Sequence, residues 1–196
     1  MTIITSKANS VVKNAKKLHQ KKYRKSAYLI EGWHLFEEAV QAGVRIEKIF
    51  ALESYQDQLA AFPQTVWVSE EILRDLADTQ TPQGICLLYT SDAADDMQFS
   101  QGKFLFLEDV QDPGNVGTII RTADAAGFTG VIVSDKSADI YSLKTLRSMQ
   151  GSHFHLPIYR MSSQALLKET KEAGIPVLAT TLSKDSVDYR ELPPIE

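Results

Sequence analysis

Apolar and polar residues alternate with two different periods along the chain, and this pattern predicts an α/β protein. Short apolar runs typical of strands are separated by segments that have an apolar residue at every third or fourth position, which is typical of helices. In the first half the predicted elements are helix 11–20, strand 28–31, helix 33–41, strand 46–52, helix 55–61, strand 65–68, helix 69–76 and strand 84–88.

The second half repeats the alternation after a break. Residues 89–101 lose periodicity and collect acidic and small polar residues, which predicts a linker with a domain boundary near residue 98, between domains 1–98 and 99–196. The elements predicted beyond it are strand 104–107, helix 116–126, strand 130–134, helix 142–149, strand 154–159, helix 163–173 and strand 176–180. Because βα units with right-handed crossovers place their strands side by side, a parallel sheet is expected.

Segment 104–128 has the layout of a functional site, since an apolar strand meets a polar turn and then a helix. Asp112-Pro113-Gly114 interrupts the strand, and Asn115 or Thr118 is predicted to cap the helix. Arg121 lies one to two turns into that helix, on what the pattern suggests is its buried side. Its guanidinium either extends past the apolar residues to solvent or is held in position for a functional role.

Four stretches carry a resemblance to a known family. Asn115 and Gly117, followed by the Ile-Ile-Arg-Thr-Ala run at 119–123, resemble the first motif of the SpoU (TrmH-like) branch of the SPOUT RNA 2'-O-ribose methyltransferases. Segment 138–158 resembles the stretch that follows the family's second strand. Segments 28–39 and 81–85 are similar to its small substrate-binding domain of L30e-like fold.

The resemblance implies a fold and a reaction. The expected fold is α/β, with a small L30e-like N-terminal domain followed by a parallel-sheet SPOUT methylase domain, which is Rossmann-like and normally trefoil-knotted. The expected enzyme uses S-adenosylmethionine to methylate a ribose 2'-OH of RNA, with ribosomal RNA favoured over transfer RNA, and it pairs as a homodimer. No metal is expected.

The C-terminal part departs from the family pattern. The family's Gly-Asn/Ser-Glu-x-x-Gly loop and its Ser-Leu-Asn-Val-Ser segment do not occur before Glu196, so the chain resembles a methyltransferase truncated before its knot segment. Without those loops, the chain is expected to be inactive in methyl transfer. If the chain truly ends at Glu196, the alternative is a noncatalytic RNA-binding module.

The resemblance also assigns roles to particular residues. Arg121 is the catalytic candidate, because a cationic donor can position a ribose hydroxyl and stabilise its developing charge, whereas a guanidinium is a poor general base. Asn115 would orient this arginine or the RNA, with a helix cap as the alternative. Ser148 would contact RNA, with small-residue packing at least as plausible. The residues matching the family's cofactor pocket are Thr180, Thr181 and Leu182.

Charge is strongly polarised along the chain. Residues 1–25 carry +8 and the remainder carries −12, which gives the net charge of −4. Clustered cations of this kind suit RNA phosphates. The candidate RNA contacts are Lys13, Lys16, Lys17, Lys21, Lys22 and Arg24. The alternative is an amphipathic helix that turns its apolar residues to the domain and its lysines to water.

Composition excludes several classes of protein. No run of residues is apolar enough to span a membrane, and the N-terminus has no secretory signal, so a cytoplasmic location is expected. Cys86 is the single cysteine, which rules out an internal disulfide, and it is predicted to be buried. His153 and His155 have no evident third metal ligand nearby. Neither a P-loop nor the dinucleotide glycine pattern occurs, so a nucleotide hydrolase is disfavoured.

Overall fold

The protein is represented by a computed structural model that describes residues 2–24, 27–79, 81–90, 102–181, 183–184 and 186–191. At residues 87–90 and 189 only the backbone is described. The chain divides into two compact units, Met1–Arg160 and Met161–Glu196. The predicted boundary near residue 98 lies outside the described residues and stays a prediction.

The first part of the larger unit is a mixed sheet with helices. Its elements are α1 Ser10–Lys17, β1 Ala27–Glu31, α2 Trp33–Gln41, β2 Ile46–Ala51, β3 Thr65–Trp67, α3 Glu70–Ala77 and β4 Ile85–Thr90. The strand order is β1-β4-β2-β3, and β4 runs antiparallel to both of its neighbours. The predicted helix 55–61 is wrong, because a 3-10 turn at Glu53–Tyr55 is followed only by turns. Pro63 disfavours helical geometry in the residue before it and so limits helix growth there.

Strand β1 lies between two buried clusters and contributes to both, because its successive side chains point to opposite faces of the sheet. Leu29 packs with α1, α3 and Cys86 on one face, whereas Tyr28 and Ile30 point to the other. Cys86 is fully buried, as expected. Both faces of β1 are therefore fixed by packing, and a register shift of one residue would misplace every side chain on the strand.

The second part of this unit is a parallel sheet. Its elements are β5 Phe104–Leu107, α4 Pro113–Ala125, β6 Gly130–Val133, α5 Leu143–Met149 and β7 Ile158–Arg160. The strand order is β5-β6-β7, and the central strand β6 is buried along its whole length. The α/β class and the parallel sheet predicted from the sequence are confirmed.

The predicted strand 154–159 begins too early. Residues Ser152–Phe154 form a 3-10 turn, and β7 starts only after Pro157. Proline has no N–H to donate to a ladder, but its carbonyl oxygen accepts a 3.0 Å hydrogen bond from the N–H of Val131. Pro157 thus directly precedes the first residue of β7.

Helix α5 packs against β1 inside the larger unit. The rings of Tyr28 and Tyr141 stack with their centroids 4.6 Å apart. Near them Arg24 forms an ion pair with Asp139, and the Arg24 side chain is only 7% exposed. Residues from both halves of the sequence pattern therefore contribute to one hydrophobic cluster.

The smaller unit contains helix α6, Ser163–Glu172, which begins at the cap residue Ser162. The predicted strand 176–180 is wrong: these residues belong to no strand, and the side chains of Val177 and Leu178 are exposed. Apolar β-prone residues favour a strand only when a neighbouring strand accepts their hydrogen bonds, and the described part of this unit contains no other strand.

Candidate functional site

The turn between β5 and α4 is held by a helix cap that the sequence analysis misassigned. Asp112 is the cap: its Oδ1 accepts a 2.9 Å hydrogen bond from the backbone N–H of Asn115. The predicted caps, Asn115 and Thr118, are wrong because Pro113 occupies the first helical position, where its missing N–H has no cost, and so allows the helix to begin earlier. Asn115 lies in the first helical turn, and its side chain is exposed.

Lys144, on helix α5, forms an ion pair with this turn. Lys144 Nζ lies 3.0 Å from Asp112 Oδ2. The Lys144 ammonium, and secondarily the Asn115 backbone N–H, hold the pKa of the Asp112 carboxyl below its usual value. Ser148, one turn after Lys144, donates a 3.1 Å hydrogen bond to the Lys144 carbonyl oxygen and is half-buried. The structure thus brings Asn115 and Ser148 into one neighbourhood at the start of α4.

Gly117 sets how closely α4 and α5 approach. A Cβ atom at this position would lie 2.5 Å from Ser148 Cβ and 2.5 Å from the Thr145 carbonyl oxygen. No real Cβ tolerates such distances, so only glycine permits this packing. Gly117 therefore allows α4 to pack closely against α5.

Arg121 lies on the solvent side of α4. The residues that face the core from this helix are Val116, Gly117, Ile120 and Ala123, whereas Arg121 is exposed. Its expected position on the buried side is therefore wrong. Among the described residues none forms a hydrogen bond or an ion pair with Arg121. Its guanidinium is available to a ligand.

Asn115 and Arg121 share a helix but not a face. A separation of six residues corresponds to about 9 Å along the helix axis and about 120° around it. A ligand contacting both side chains would therefore have to reach around α4. An extended polymer suits this arrangement better than a small molecule.

A serine network beneath the turn was missed by the sequence analysis. Buried Ser134, directly after β6, donates to Asp109 Oδ1 over 2.8 Å, and its oxygen accepts the Asp109 N–H over 2.8 Å. Buried Ser137 donates to the Leu107 carbonyl oxygen over 3.1 Å and accepts the Val110 N–H over 3.0 Å. Asp109 has φ of 52°, a conformation that these bonds hold in place.

This network gives the acidic side chains of the turn separate tasks. Asp109 is bound to Ser134 and Asp112 caps α4, so both carboxylates have structural partners. The only hint in the sequence was the pair of serines immediately after an apolar strand. In the described part of the chain, no group of His, Cys, Asp or Glu side chains is arranged to hold a metal ion.

Residues 1–25, which we call the basic arm, contain the amphipathic helix that the sequence offered as the alternative to an RNA-binding segment. Helix α1 is shorter than the predicted 11–20, and it buries Val12 and Ala15 against the domain. Four lysines, which we call the lysine quartet, lie exposed along the arm: Lys16, Lys17, Lys21 and Lys22. Lys13 is also exposed, and Lys16 Nζ lies 2.5 Å from Asp75 Oδ1. The lysines thus face solvent whether or not RNA is their partner.

Arg24 occupies a different environment from these lysines. Its guanidinium pairs with Asp139 and donates to the Leu18 carbonyl oxygen over 2.5 Å. With its side chain almost fully covered, Arg24 ties the arm to the segment before α5. This position does not suit the predicted contact with RNA phosphate.

The predicted cofactor residues lie in the smaller unit. Thr180 and Thr181 are exposed, whereas Leu182 lies outside the described residues. Val177 and Leu178, just before them, are 50% and 61% exposed. Apolar side chains beside hydroxyl groups suit the two parts of an adenosyl group, its flat base and its ribose. The residue types present therefore fit S-adenosylmethionine.

Both halves of the sequence match known protein families. A profile of the SpoU rRNA Methylase family matches residues 102–194, and a profile of the MRM3-like substrate binding domain matches residues 9–87. The chain is 38% identical over 200 residues to the 23S rRNA (guanosine(2553)-2'-O)-methyltransferase RlmP of Bacillus subtilis. That alignment covers all of this chain and 79% of RlmP. The chain belongs to the SpoU rRNA methylase family.

Solved structures agree with this family membership. An rRNA methyltransferase from Sinorhizobium meliloti superimposes with a TM-score of 0.87 at 33% identity, covering 98% of this chain and 77% of that one. The AdoMet-bound form gives a TM-score of 0.86 at 33% identity, covering 98% and 76%. The resemblance drawn from Asn115, Gly117 and Arg121 is thus confirmed for this SpoU methylase, while the roles of these residues stay predictions. No described helix is long and apolar enough to cross a membrane.

Proposed function

We propose that this SpoU methylase transfers a methyl group from S-adenosylmethionine to a ribose 2'-OH of ribosomal RNA. Its similarity to RlmP supports the substrate class, and its similarity to the AdoMet-bound Sinorhizobium enzyme supports the cofactor. The observation that carries the proposal is Arg121, an exposed guanidinium with no partner among the described residues. The helix that bears it is held by the Asp112 cap and by the Gly117 contact.

Arg121 acts on the nucleophile in this proposal. A ribose hydroxyl is barely ionised at neutral pH, so its oxygen reacts only if the charge that develops on it is stabilised. A guanidinium donates several hydrogen bonds in a fixed plane and stays protonated, which makes it a suitable donor and a poor proton acceptor. Asn115, exposed near the start of the same helix, orients the RNA strand.

The cofactor supplies an activated methyl group when bound. Thr180, Thr181 and Leu182 would hold it. The threonine hydroxyls provide hydrogen-bonding groups, and the neighbouring exposed apolar residues provide a surface for the base. Chemistry at the sulfonium carbon belongs to the cofactor, so the protein's task is to position the ribose oxygen.

RNA binding is assigned to the arm and to the start of α4. The lysine quartet and Lys13 would contact phosphates, because clustered exposed cations bind the RNA backbone irrespective of sequence. Ser148 would contact RNA near Asn115. Arg24 is left out of this surface because its side chain is covered.

We also propose that the protein acts as a homodimer in the cytoplasm. The exposed Leu167 and Val187 of the smaller unit support a further contact surface, since large apolar side chains gain by being covered. The bacterial relative RlmP supports the location. Sedimentation equilibrium of the purified chain measures the oligomeric state directly, and a monomer mass at all concentrations refutes the dimer.

A methyl-transfer assay tests the proposal. Unmodified 23S rRNA made by transcription is incubated with S-adenosylmethionine labelled in its methyl group, and label in the RNA is counted. We expect Arg121→Ala to lower the rate about 10²–10³-fold or more, the usual effect of losing one oxyanion donor, with RNA affinity nearly unchanged. Arg45→Ala, which removes another exposed arginine, is the matched control.

Two results contradict the proposal in different ways. Full activity of Arg121→Ala removes this residue from the mechanism. RNA binding by the unaltered chain without any methyl transfer to 23S rRNA favours the noncatalytic RNA-binding alternative.

A further inference from the structure

A polar cleft lies on the larger unit, lined by residues from β1, α2, α5 and the loop before β4. Its volume is about 360 Å³. The lining residues are Glu31, His34, Leu35, Thr79, Thr81, Gln83, Arg147 and Gln150. None of them belongs to the site proposed for methyl transfer. The cleft is therefore a separate feature with its own chemistry.

Its floor is a fixed guanidinium. Arg147 donates to Glu31 Oε2 from Nε over 3.1 Å and from Nη2 over 2.8 Å, and it also donates to the Ala77 carbonyl oxygen. Glu31 is 6% exposed, but the Arg147 side chain remains 39% exposed. Hydrogen bonds to two elements hold the guanidinium in place while part of the side chain stays exposed, and a planar guanidinium is a group on which an aromatic ring can stack.

Amide side chains flank this floor. The side chain of Gln83 passes so close to Gly32 that a Cβ atom there would lie 2.3 Å from Gln83 Oε1, and Gly32 has φ of 103°. Gln150 donates to the Arg147 carbonyl oxygen over 2.6 Å. His34 Nε2 lies 3.2 Å from the Gln150 carbonyl oxygen. These contacts gather amide and imidazole groups around one opening.

The charge of the cleft decides which part of an RNA it suits. A phosphate requires an excess of positive charge, but here the cation of Arg147 is already balanced by Glu31. Amides that both donate and accept match the edge of a nucleobase. RNA is read mainly through unpaired bases that stack on flat side chains and hydrogen-bond at their edges.

We propose that this cleft binds one unpaired nucleobase of the substrate RNA, stacked against Arg147 and hydrogen-bonded by Gln83 and Gln150. The inference rests on the proposed function, because it assumes an RNA substrate. It assigns base recognition to a place distinct from the phosphate contacts of the lysine quartet and from Arg121.

Binding to short RNAs of defined structure tests the assignment. Fluorescence anisotropy measures affinity for labelled 12-nucleotide oligo-A, oligo-C and oligo-U, and for the duplex formed by oligo-A with oligo-U, over a series of salt concentrations. The variant is Gln83→Ala combined with Gln150→Asn, which keeps a residue tolerant of the φ of 53° at position 150. Gln58→Ala, an exposed glutamine outside the cleft, is the matched control.

The expected result is a loss of about fivefold or more in affinity for at least one single strand, as for a lost base contact, with an unchanged salt slope. Affinity for the duplex should not change. Unaltered affinity for all three single strands overturns the assignment, and so does an equal loss for the duplex with a reduced salt slope, which would indicate a phosphate site. Methyl transfer to 23S rRNA by the unaltered chain is measured in parallel, so that failure of the cleft and failure of the proposed function remain distinguishable.

Discussion

Replacing Gly117 by alanine tests the packing that positions Arg121. The added methyl group would meet Ser148 Cβ and the Thr145 carbonyl oxygen at 2.5 Å and the Met149 backbone nitrogen at 3.0 Å. Two of these three atoms belong to the backbone of α5, which no side-chain rotation can move. Because carbon atoms normally pack about 3.5–4 Å apart, the helices must separate by about 1 Å.

Two opposing effects set the magnitude. Overpacking a filled contact costs roughly 1–3 kcal/mol, whereas replacing glycine by alanine inside a helix gains up to about 1 kcal/mol. We therefore expect a net loss of about 1–2 kcal/mol in the free energy of unfolding. A displacement of about 1 Å near a reacting group can cost about 10²-fold in rate, so methyl transfer should fall far more than stability.

Guanidinium unfolding and the methyl-transfer assay measure the two quantities. Thr118→Ala, on the exposed face of the same helix, reports the gain in helix propensity without the clash. If Gly117→Ala matches that control in both stability and activity, α4 does not pack on α5 as described, and the reasoning fails.

Two other predictions concern charge. Replacing the lysine quartet by alanine should weaken RNA binding and reduce the slope of log affinity against log salt concentration by up to about 3. An unaltered slope in anisotropy titrations would mean that these lysines contact solvent and not RNA phosphates. Burial lowers the pKa of His153 to about 3 from 6.5. Below about pH 6.5 the unfolded chain therefore binds a proton at this histidine that the folded chain does not bind. The free energy of unfolding consequently falls as the pH drops from about 6.5 towards 3. At about pH 5 the loss is roughly 2 kcal/mol, and His153→Phe should remove it relative to the parent in urea unfolding. Parallel pH profiles of parent and variant would contradict this.

Local patterns were sufficient to predict most of the elements. Helix α2 occupies the predicted span because its apolar spacing, the glycine before it and Gly43 after it all agree. The apolar run at 130–134 correctly indicated the strand β6. The family motif also located the helix that bears Arg121.

Other features depended on contacts that no local pattern contains. The side of α4 that faces the core is set by Gly117 meeting α5, so the apolar neighbours of Arg121 gave the wrong side. Apolar residues 176–180 resembled a strand, but β-propensity says nothing about whether a partner strand is present. The buried ion pair of Arg24 joins residues 115 positions apart, and its charge alone made it look like part of the RNA surface.

The joint between β1 and α5 constrains how such proteins can be recombined. If the part matched by the substrate-binding profile were exchanged for one that lacks Arg24 and Tyr28, Asp139 would lose its guanidinium partner and Tyr141 would lose its stacking partner. A charge left unpaired in a covered site is costly, so a chimera spliced in the linker would be destabilised even with both halves intact. Such an exchange is tolerated only if α5 and the segment before it are exchanged together with the donor half, so the unit that can be exchanged is larger than the substrate-binding part alone.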